Sequence, residues 1–106
     1  MSTVSLDTMD FSHLEQVLPI EQETFPSAWS LGLFVTEVAN PLADWFVALD
    51  GDEVLGYAGI QQVADVGHVL NIAVRDGSRD RGTGSMLMRK LLDAARVRRI
   101  LSVTLE

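Results

Sequence analysis

A segment rich in arginine and glycine is the part of the sequence whose residue types most clearly point to chemistry. It reads Arg-Asp-Arg-Gly-Thr-Gly-Ser over residues 79–85, between a predicted strand and a predicted helix. Gly82 and Gly84 let the backbone turn tightly and approach a ligand. Free N–H groups at the start of the helix favour an anion, and Arg79 and Arg81 add cationic donors. The segment predicts a pyrophosphate-binding loop; the alternative is a plain turn before a helix.

Two other phosphate-binding loops fit this segment less well. A P-loop needs Lys-Ser or Lys-Thr after its final glycine, whereas Ser85 and Met86 follow Gly84. The dinucleotide fingerprint G-x-G-x-x-G matches at its first two glycines, but Leu87 takes the third place. Glu106, at the end of the next predicted strand, would suit the ribose-binding acid of such a fold. A nucleotide-binding βαβ unit is therefore the second choice of fold.

The elements that must position this loop form a mixed α/β pattern. Apolar spacing predicts five strands, at 4–6, 45–49, 54–62, 67–74 and 100–105, and helices from 11 to about 18, 30 to about 39 and about 83 to 98. Asp10 or Ser12 is the expected N-cap of the first helix and Ser30 that of the second. Pro19 is expected to kink or end the first helix near Leu18. The order β-α-α-β-β-β-α-β is not that of a repeated βαβ array.

Composition limits the classes of protein to which the chain can belong. The chain has 106 residues, of which 47% are hydrophobic and 22% charged, and it shows no repeat or linker. We therefore expect a single domain over residues 1–106. Cysteine is absent, which excludes disulfides and thiolate catalysis. The sequence shows no secretory signal and no apolar run of about 18 residues, so a cytoplasmic location without membrane contact is expected.

The charge is unevenly distributed. The formal net charge is −7, yet the first 74 residues contain no lysine or arginine, so all eight lie from Arg75 onward. An acidic chain is a poor partner for nucleic acid. It is better suited to a cationic substrate such as a basic peptide, although most of the carboxylates are expected only to maintain solubility. A bound anion is expected in the C-terminal third.

The motif Arg79-x-x-Gly82-x-Gly84 resembles the acetyl-CoA motif of GNAT acetyltransferases, Q/R-x-x-G-x-G/A. Further segments resemble the RimI-like members, which acetylate protein N-termini, in the same order along the chain: Ile20-Glu21-Gln22, Phe25, Trp29-Ser30, Asn40-Pro41-Leu42, Gly56-Tyr57-Ala58-Gly59, His68 to Val74 and Thr104-Leu105-Glu106. The resemblance implies the GNAT acyl-CoA N-acyltransferase fold. It also implies acetyl-CoA as cosubstrate, a protein N-terminus as acceptor and no metal.

The resemblance also implies individual roles. Backbone groups of Ile72, Ala73 and Val74 would bond the pantetheine arm of the cofactor. The pyrophosphate would be held by the residues of the glycine-rich loop, namely Arg79, Arg81, Gly82, Thr83, Gly84 and Ser85. Glu106 matches the general base that takes a proton from the acceptor ammonium; the alternative is a frayed terminal acid. The implied acceptor is the N-terminal alanine of a small-subunit ribosomal protein.

The family fold continues with another helix and two more strands, so the resemblance implies a chain that lacks them. That region carries the tyrosine that acts as general acid, and Tyr57 does not match its position. A non-catalytic coenzyme A-binding or interaction fragment therefore stays open as an alternative to an enzyme. The oligomeric state cannot be read from the sequence.

Four other side chains have two interpretations each. His68 would be a second base or a strand histidine satisfied by a neighbour. Asn71 would orient substrate or pair with backbone. Phe25 and Trp29 would line the acceptor groove or pack between helices. The cations of the last helix are expected on its solvated side: Arg89, Lys90, Arg96, Arg98 and Arg99.

Overall fold

The computed structural model describes residues 3–79 and 82–105. The described residues form five strands: β1 (Val4–Thr8), β2 (Ala43–Asp50), β3 (Glu53–Val63), β4 (Val66–Val74) and β5 (Ser102–Leu105). The helices are α1 (Leu14–Thr24), preceded by a 3-10 turn (Phe11–His13), α2 (Leu31–Val38) and α3 (Thr83–Val97). The predicted order of elements is confirmed. In the described parts of the chain, no helix has the length and apolarity to cross a membrane.

The strands form one mixed sheet in the order β1-β2-β3-β4-β5. The first three pairs are antiparallel, and only β4 and β5 run parallel, with α3 as the connection between them. The β2–β3 hairpin turns at Gly51 and Asp52, and Gly51 has a φ of +61°, as the Asp-Gly pair predicts. A predominantly antiparallel sheet excludes the nucleotide-binding βαβ unit, because that fold needs parallel neighbours.

The two faces of the sheet carry separate apolar cores. On one face Trp45, Val47 and Leu49 pack with α1 and α2, where the buried residues include Leu14, Val17, Ile20 and Phe34. On the other face Phe46 and Ala48 pack with Leu87, Leu91 and Ala95 of α3. This alternation along β2 is what a strand covered on both sides requires. Residues 45–49 are all buried, so the strand is sandwiched between helical layers.

Two predicted details of the helices are wrong. Pro19 lies inside α1, which continues to Thr24 instead of ending near Leu18. The hydrogen bond that proline cannot donate would reach the carbonyl of Glu15, and this residue is exposed, so water can replace the bond. In α2, Leu33 shares a predicted face with Phe34, but Leu33 is exposed whereas Phe34 is buried. The Ser30 cap of α2 is confirmed, since its side chain accepts from the Leu33 N–H. Asp10 accepts from the Ser12 N–H and caps the 3-10 turn that leads into α1, whereas the N-cap of α1 itself is His13, which makes no side-chain cap bond.

The end of α3 differs from the prediction. Arg98 is not on the solvated side of the helix: its Nε donates to Asp44 Oδ2 at 2.5 Å and its Nη2 donates to the carbonyl of Pro41. The contact fastens the end of α3 to the start of β2. The final strand begins at Ser102 and not at Ile100, because the Ile100 N–H bonds the carbonyl of Ala95 and so still belongs to the helix end.

Gly59 allows the closest packing in the aromatic part of the core. A Cβ atom at this position would lie 2.4 Å from the Trp45 ring. That ring is 3% exposed, and its centroid lies 5.6 Å from Trp29 and 5.8 Å from Phe34, so it has no room to move. Gly32, by contrast, is an exposed helical glycine whose added Cβ would meet nothing closer than 4.0 Å.

We expect Gly59→Ala to lower the free energy of unfolding by about 1–3 kcal/mol, since the methyl group overpacks the ring. Gly32→Ala is the matched control, and we expect it to leave stability unchanged or to raise it by up to about 1 kcal/mol. Urea denaturation followed by tryptophan fluorescence measures both. Equal stability of the two variants would contradict the packing described for Trp45.

Candidate functional site

The site begins where β4 and β5 separate. β5 pairs with β4 only from Val66 to Val69. Beyond that point β4 keeps its pairing with β3, but its other edge has no strand partner among the described residues. Along a free edge, every second residue points its backbone N–H and C=O groups outward, where a ligand can bond them. The edge from Asn71 to Val74 is therefore a place where an extended molecule can pair as a strand does.

An open cavity of about 520 Å³ lies along this edge and ends at the start of α3. Eight of the nine predicted cofactor-binding residues line it: Ile72, Ala73, Val74, Arg79, Gly82, Thr83, Gly84 and Ser85. The ninth, Arg81, lies outside the described residues. The structure thus brings the strand edge and the glycine-rich loop to one cavity, although about ten positions of sequence separate them.

The start of α3 has the backbone geometry that the glycines predict. Gly82 is the N-cap residue with a φ of +76°, in the left-handed region that favours glycine. The first backbone hydrogen bond of the helix runs from the Met86 N–H to the Gly82 carbonyl, so the N–H groups before it are not used by the helix itself. Thr83 is 2% exposed, and no residue in the described ranges hydrogen-bonds its Oγ1. Buried donors of this kind suit an anionic ligand.

Three side chains shape the loop end of the cavity. Arg79 donates from Nε to the carbonyl of Val74 at 3.0 Å, which holds its guanidinium at the cavity beside β4. Ser78 and Thr24 also line the cavity, and sequence reasoning missed both. Thr24 reaches it from the end of α1, and its Oγ1 donates to the carbonyl of Ile20. A helix distant in sequence gives no local signal for such a contact.

The predicted general base, Glu106, lies outside the described residues, so its role stays a prediction. His68 hydrogen-bonds Thr104 on the paired half of the β4–β5 ladder, at 3.2 Å. This supports the interpretation of a strand histidine satisfied by a neighbour. Within the described ranges, no group of three or more histidine, aspartate or glutamate side chains is arranged to hold a metal ion.

A second cavity, of about 280 Å³, lies against the same strand on the side of α1. It is lined by residues of α1, of the α1–α2 loop and of β4: Glu21, Phe25, Pro26, Ser27, Trp29, Leu70 and Asn71. The register of β4 against β3 shifts between the Gly59–Asn71 and Ile60–Val69 pairs, which makes Leu70 the extra residue of a bulge. The bulge turns Leu70 and Asn71 toward this one cavity. Phe25 and Trp29 line it, and both also pack against the core, Trp29 on Phe34. Their role in an acceptor groove stays a prediction.

A buried carboxyl group, that of Glu21, lines the second cavity. Glu21 is 1% exposed and accepts three hydrogen bonds. The Trp29 N–H donates to Oε2 at 2.8 Å, while the Tyr57 hydroxyl and the Asn71 amide donate to Oε1 at 2.5 and 2.7 Å. Asn71 therefore pairs with a carboxyl side chain and not with backbone. Sequence reasoning gave Glu21 no role.

Tyr57 is held as a proton-bearing donor in this network. Burial is the main cause that raises the pKa of its hydroxyl, and the hydrogen bond to Glu21 and the negative charge there raise it further. The ring is fully buried and lies edge-on to Phe34. Tyr57 therefore supports the core and keeps its proton over the physiological pH range.

The sequence matches the acetyltransferase (GNAT) family over residues 14–106. The chain belongs to this family. A protein of Bacillus subtilis (strain 168), by name a candidate ribosomal protein bS18-alanine N-acetyltransferase, is 28% identical over 99 residues. The match covers 92% of this chain and 66% of that relative, so the chain spans slightly less than two thirds of the relative's length. The likeness supports a RimI-like member of the family.

Solved structures share the GNAT fold. The ribosomal-protein-S18-alanine N-acetyltransferase of Escherichia coli superimposes with a TM-score of 0.86 at 22% identity, covering 97% of this chain and 66% of that one. Ard1 of Thermoplasma volcanium gives 0.89 at 22%, over 96% and 70%. The PaiA N-acetyltransferase of Thermoplasma acidophilum, solved in complex with coenzyme A, gives 0.85 at 12%, over 97% and 78%.

The two glycines of the loop differ in what they tolerate. We expect Gly82→Ala to lower the melting temperature by about 4–8 °C, because a side chain at φ +76° costs about 1 kcal/mol. Gly84→Ala is the matched variant: its Cβ would lie 3.8 Å from Val74 in ordinary contact, and alanine favours a helix. We expect its melting temperature to equal or exceed that of the wild type. Differential scanning calorimetry measures both melting temperatures. A higher melting temperature for Gly82→Ala than for Gly84→Ala would contradict the left-handed conformation of the N-cap.

Proposed function

We propose that this GNAT protein is an acetyl-CoA-dependent N-acetyltransferase that transfers acetyl to a protein N-terminal α-amine. The observation that carries the proposal is the 520 Å³ cavity in which the unpaired edge of β4 meets the start of α3. The cavity offers an extended row of backbone groups followed by an anion-binding turn. This is the sequence of contacts that a long flexible arm ending in a pyrophosphate requires.

The chain's own residues suit the two parts of such a ligand. The edge at Ile72, Ala73 and Val74 would orient the pantetheine arm by main-chain hydrogen bonds. The N–H groups at the start of α3, the buried Thr83 hydroxyl and the Arg79 guanidinium would bind the pyrophosphate. Gly84 keeps the turn accessible, because no Cβ covers the backbone there.

The acceptor would approach from the second cavity. Acetyl-CoA supplies an activated thioester carbonyl when it is bound. The residues of this chain would hold the acceptor amine near the bulge of β4 and remove its proton, for which Glu106 is the candidate base. Backbone N–H groups near Val74 would polarise the carbonyl. Tyr57 is excluded as an acid toward the leaving group, since it is fully buried and donates to Glu21.

The acceptor we propose is the N-terminal alanine of a small-subunit ribosomal protein. The names of the Bacillus subtilis relative and of the Escherichia coli structure support this choice. The net charge of −7 favours a cationic partner such as a basic peptide. A ribosomal acceptor would make the cytoplasm the place of action.

We expect the chain to bind coenzyme A, and Arg79→Ala to weaken that binding about tenfold through loss of a charge-assisted contact to phosphate. Arg89→Ala is the matched control: it removes the same charge from an exposed position of α3 that does not line the cavity. Its affinity should stay within about twofold of the wild type. Isothermal titration calorimetry at a fixed salt concentration measures the coenzyme A affinity of the wild type and of both variants.

The same preparation tests the reaction. We expect acetyl transfer from acetyl-CoA to a peptide that begins with alanine. Binding without turnover would favour a coenzyme A-binding domain over an enzyme, and failure of the wild type to bind coenzyme A would overturn the assignment of the cavity.

A further inference from the structure

The two cavities lie beside neighbouring residues of β4 and of the end of α1, and the buried carboxyl group of Glu21 lines the second one. On β4, Asn71 lines the acceptor-side cavity and the next residue, Ile72, lines the cofactor-side cavity. At the end of α1, Thr24 lines the cofactor-side cavity and the next residue, Phe25, lines the acceptor-side cavity. Neighbouring residues of β4 and of α1 therefore face different cavities. A small shift of either element would change the position of one cavity relative to the other.

Three donors from three different elements converge on Glu21. The Trp29 N–H belongs to the α1–α2 loop, Tyr57 to β3 and Asn71 to β4. Glu21 itself lies on α1, so one carboxyl group connects four elements. Both carboxyl oxygens take part in these hydrogen bonds, and a buried donor left without a partner is penalised.

We propose that Glu21 is the positioning residue of the acceptor site, holding the α1–α2 loop against β3 and β4 so that the acceptor cavity keeps its place beside the cofactor edge. This rests on the proposed function, since it assigns the second cavity to the acceptor amine. The decisive contact is from the Trp29 N–H to Oε2, because it is the bond of the network that reaches the loop.

Glutamine at this position separates the loop contact from the rest of the network. An amide has one accepting oxygen and one donating NH₂ group. With its oxygen in the place of Oε1, glutamine keeps the bonds from Tyr57 and Asn71, and its NH₂ group then faces the Trp29 N–H, donor against donor. In the opposite orientation the NH₂ group faces Tyr57 and Asn71; the Tyr57 hydroxyl can turn to accept from it, so only the Asn71 contact is lost. Each orientation therefore leaves one donor without an acceptor, and Glu21→Gln should release the loop in the molecules in which that donor is the Trp29 N–H.

The first measurement is hydrogen exchange of the Trp29 amide by NMR, which needs neither ligand nor activity. We expect Glu21→Gln to speed this exchange at least about tenfold. Glu23→Gln, which removes the same charge from an exposed position of α1, should leave it unchanged. Tyr57→Phe removes a donor to Oε1 but keeps the Trp29 contact, so its Trp29 amide should exchange as in the wild type.

The second measurement separates positioning from general loss of structure. We expect Glu21→Gln to raise KM for a peptide beginning with alanine about tenfold, with KM for acetyl-CoA and the calorimetric affinity for coenzyme A within about twofold of wild type. An unchanged Trp29 exchange rate, or an unchanged peptide KM, overturns the proposal. If Glu21→Gln does not fold, the wild type still decides: a Trp29 amide that exchanges as fast as an unstructured peptide overturns it.

The two proposals fail in different ways. A wild-type chain that does not bind coenzyme A removes the acetyltransferase assignment. The exchange of the Trp29 amide in Glu21→Gln still reports whether the carboxylate anchors the loop.

Discussion

The incomplete pairing of β4 is the constraint on which the site depends. Over Val66 to Val69 the strand is bonded on both edges, and over its second half it is bonded to β3 alone among the described residues. A fully paired strand would have no free main-chain groups to offer, and a strand unpaired over its whole length would lack a rigid mounting. The bulge at Leu70 lies where β4 changes from pairing on both edges to pairing with β3 alone, and it changes the direction of the side chains there.

The same strand separates two opposite electrostatic environments. At its carboxyl end the ring of helix N–H groups, Thr83 and Arg79 favours a negative ligand. On the face toward α1, Glu21 places a carboxyl group among apolar side chains, satisfied by three donors. A buried acid without such partners would be strongly destabilising. The network therefore lets an acidic group stand beside the acceptor cavity without disrupting the core.

The sequence was informative where the chemistry is local. The glycine-rich loop, the hairpin at Gly51 and the serine cap at Ser30 depend on residues a few positions apart, and the structure agrees with each. The order of elements was readable for the same reason. Pro19 was misjudged because propensity reports a lost hydrogen bond but not whether its acceptor faces water.

Glu21 had no local signal at all. Its partners lie 8, 36 and 50 positions away, and only the register of β3 and β4 brings Tyr57 and Asn71 to it. Arg98 shows the same limit: it reads as a solvated helix cation, and its partner Asp44 lies on a strand 54 positions earlier. Thr24 joins the cofactor cavity through the packing of α1, which no motif contains.

The aromatic cluster at the α1–α2 loop gives the protein an internal spectroscopic reporter. The chain contains two tryptophans, and Trp29 and Trp45 lie with ring centroids 5.6 Å apart, edge to face. Trp29 belongs to the α1–α2 loop and Trp45 to β2. Their emission and excitonic circular dichroism therefore depend on where the loop lies relative to the sheet, so that optical spectra report directly on the placement of the loop.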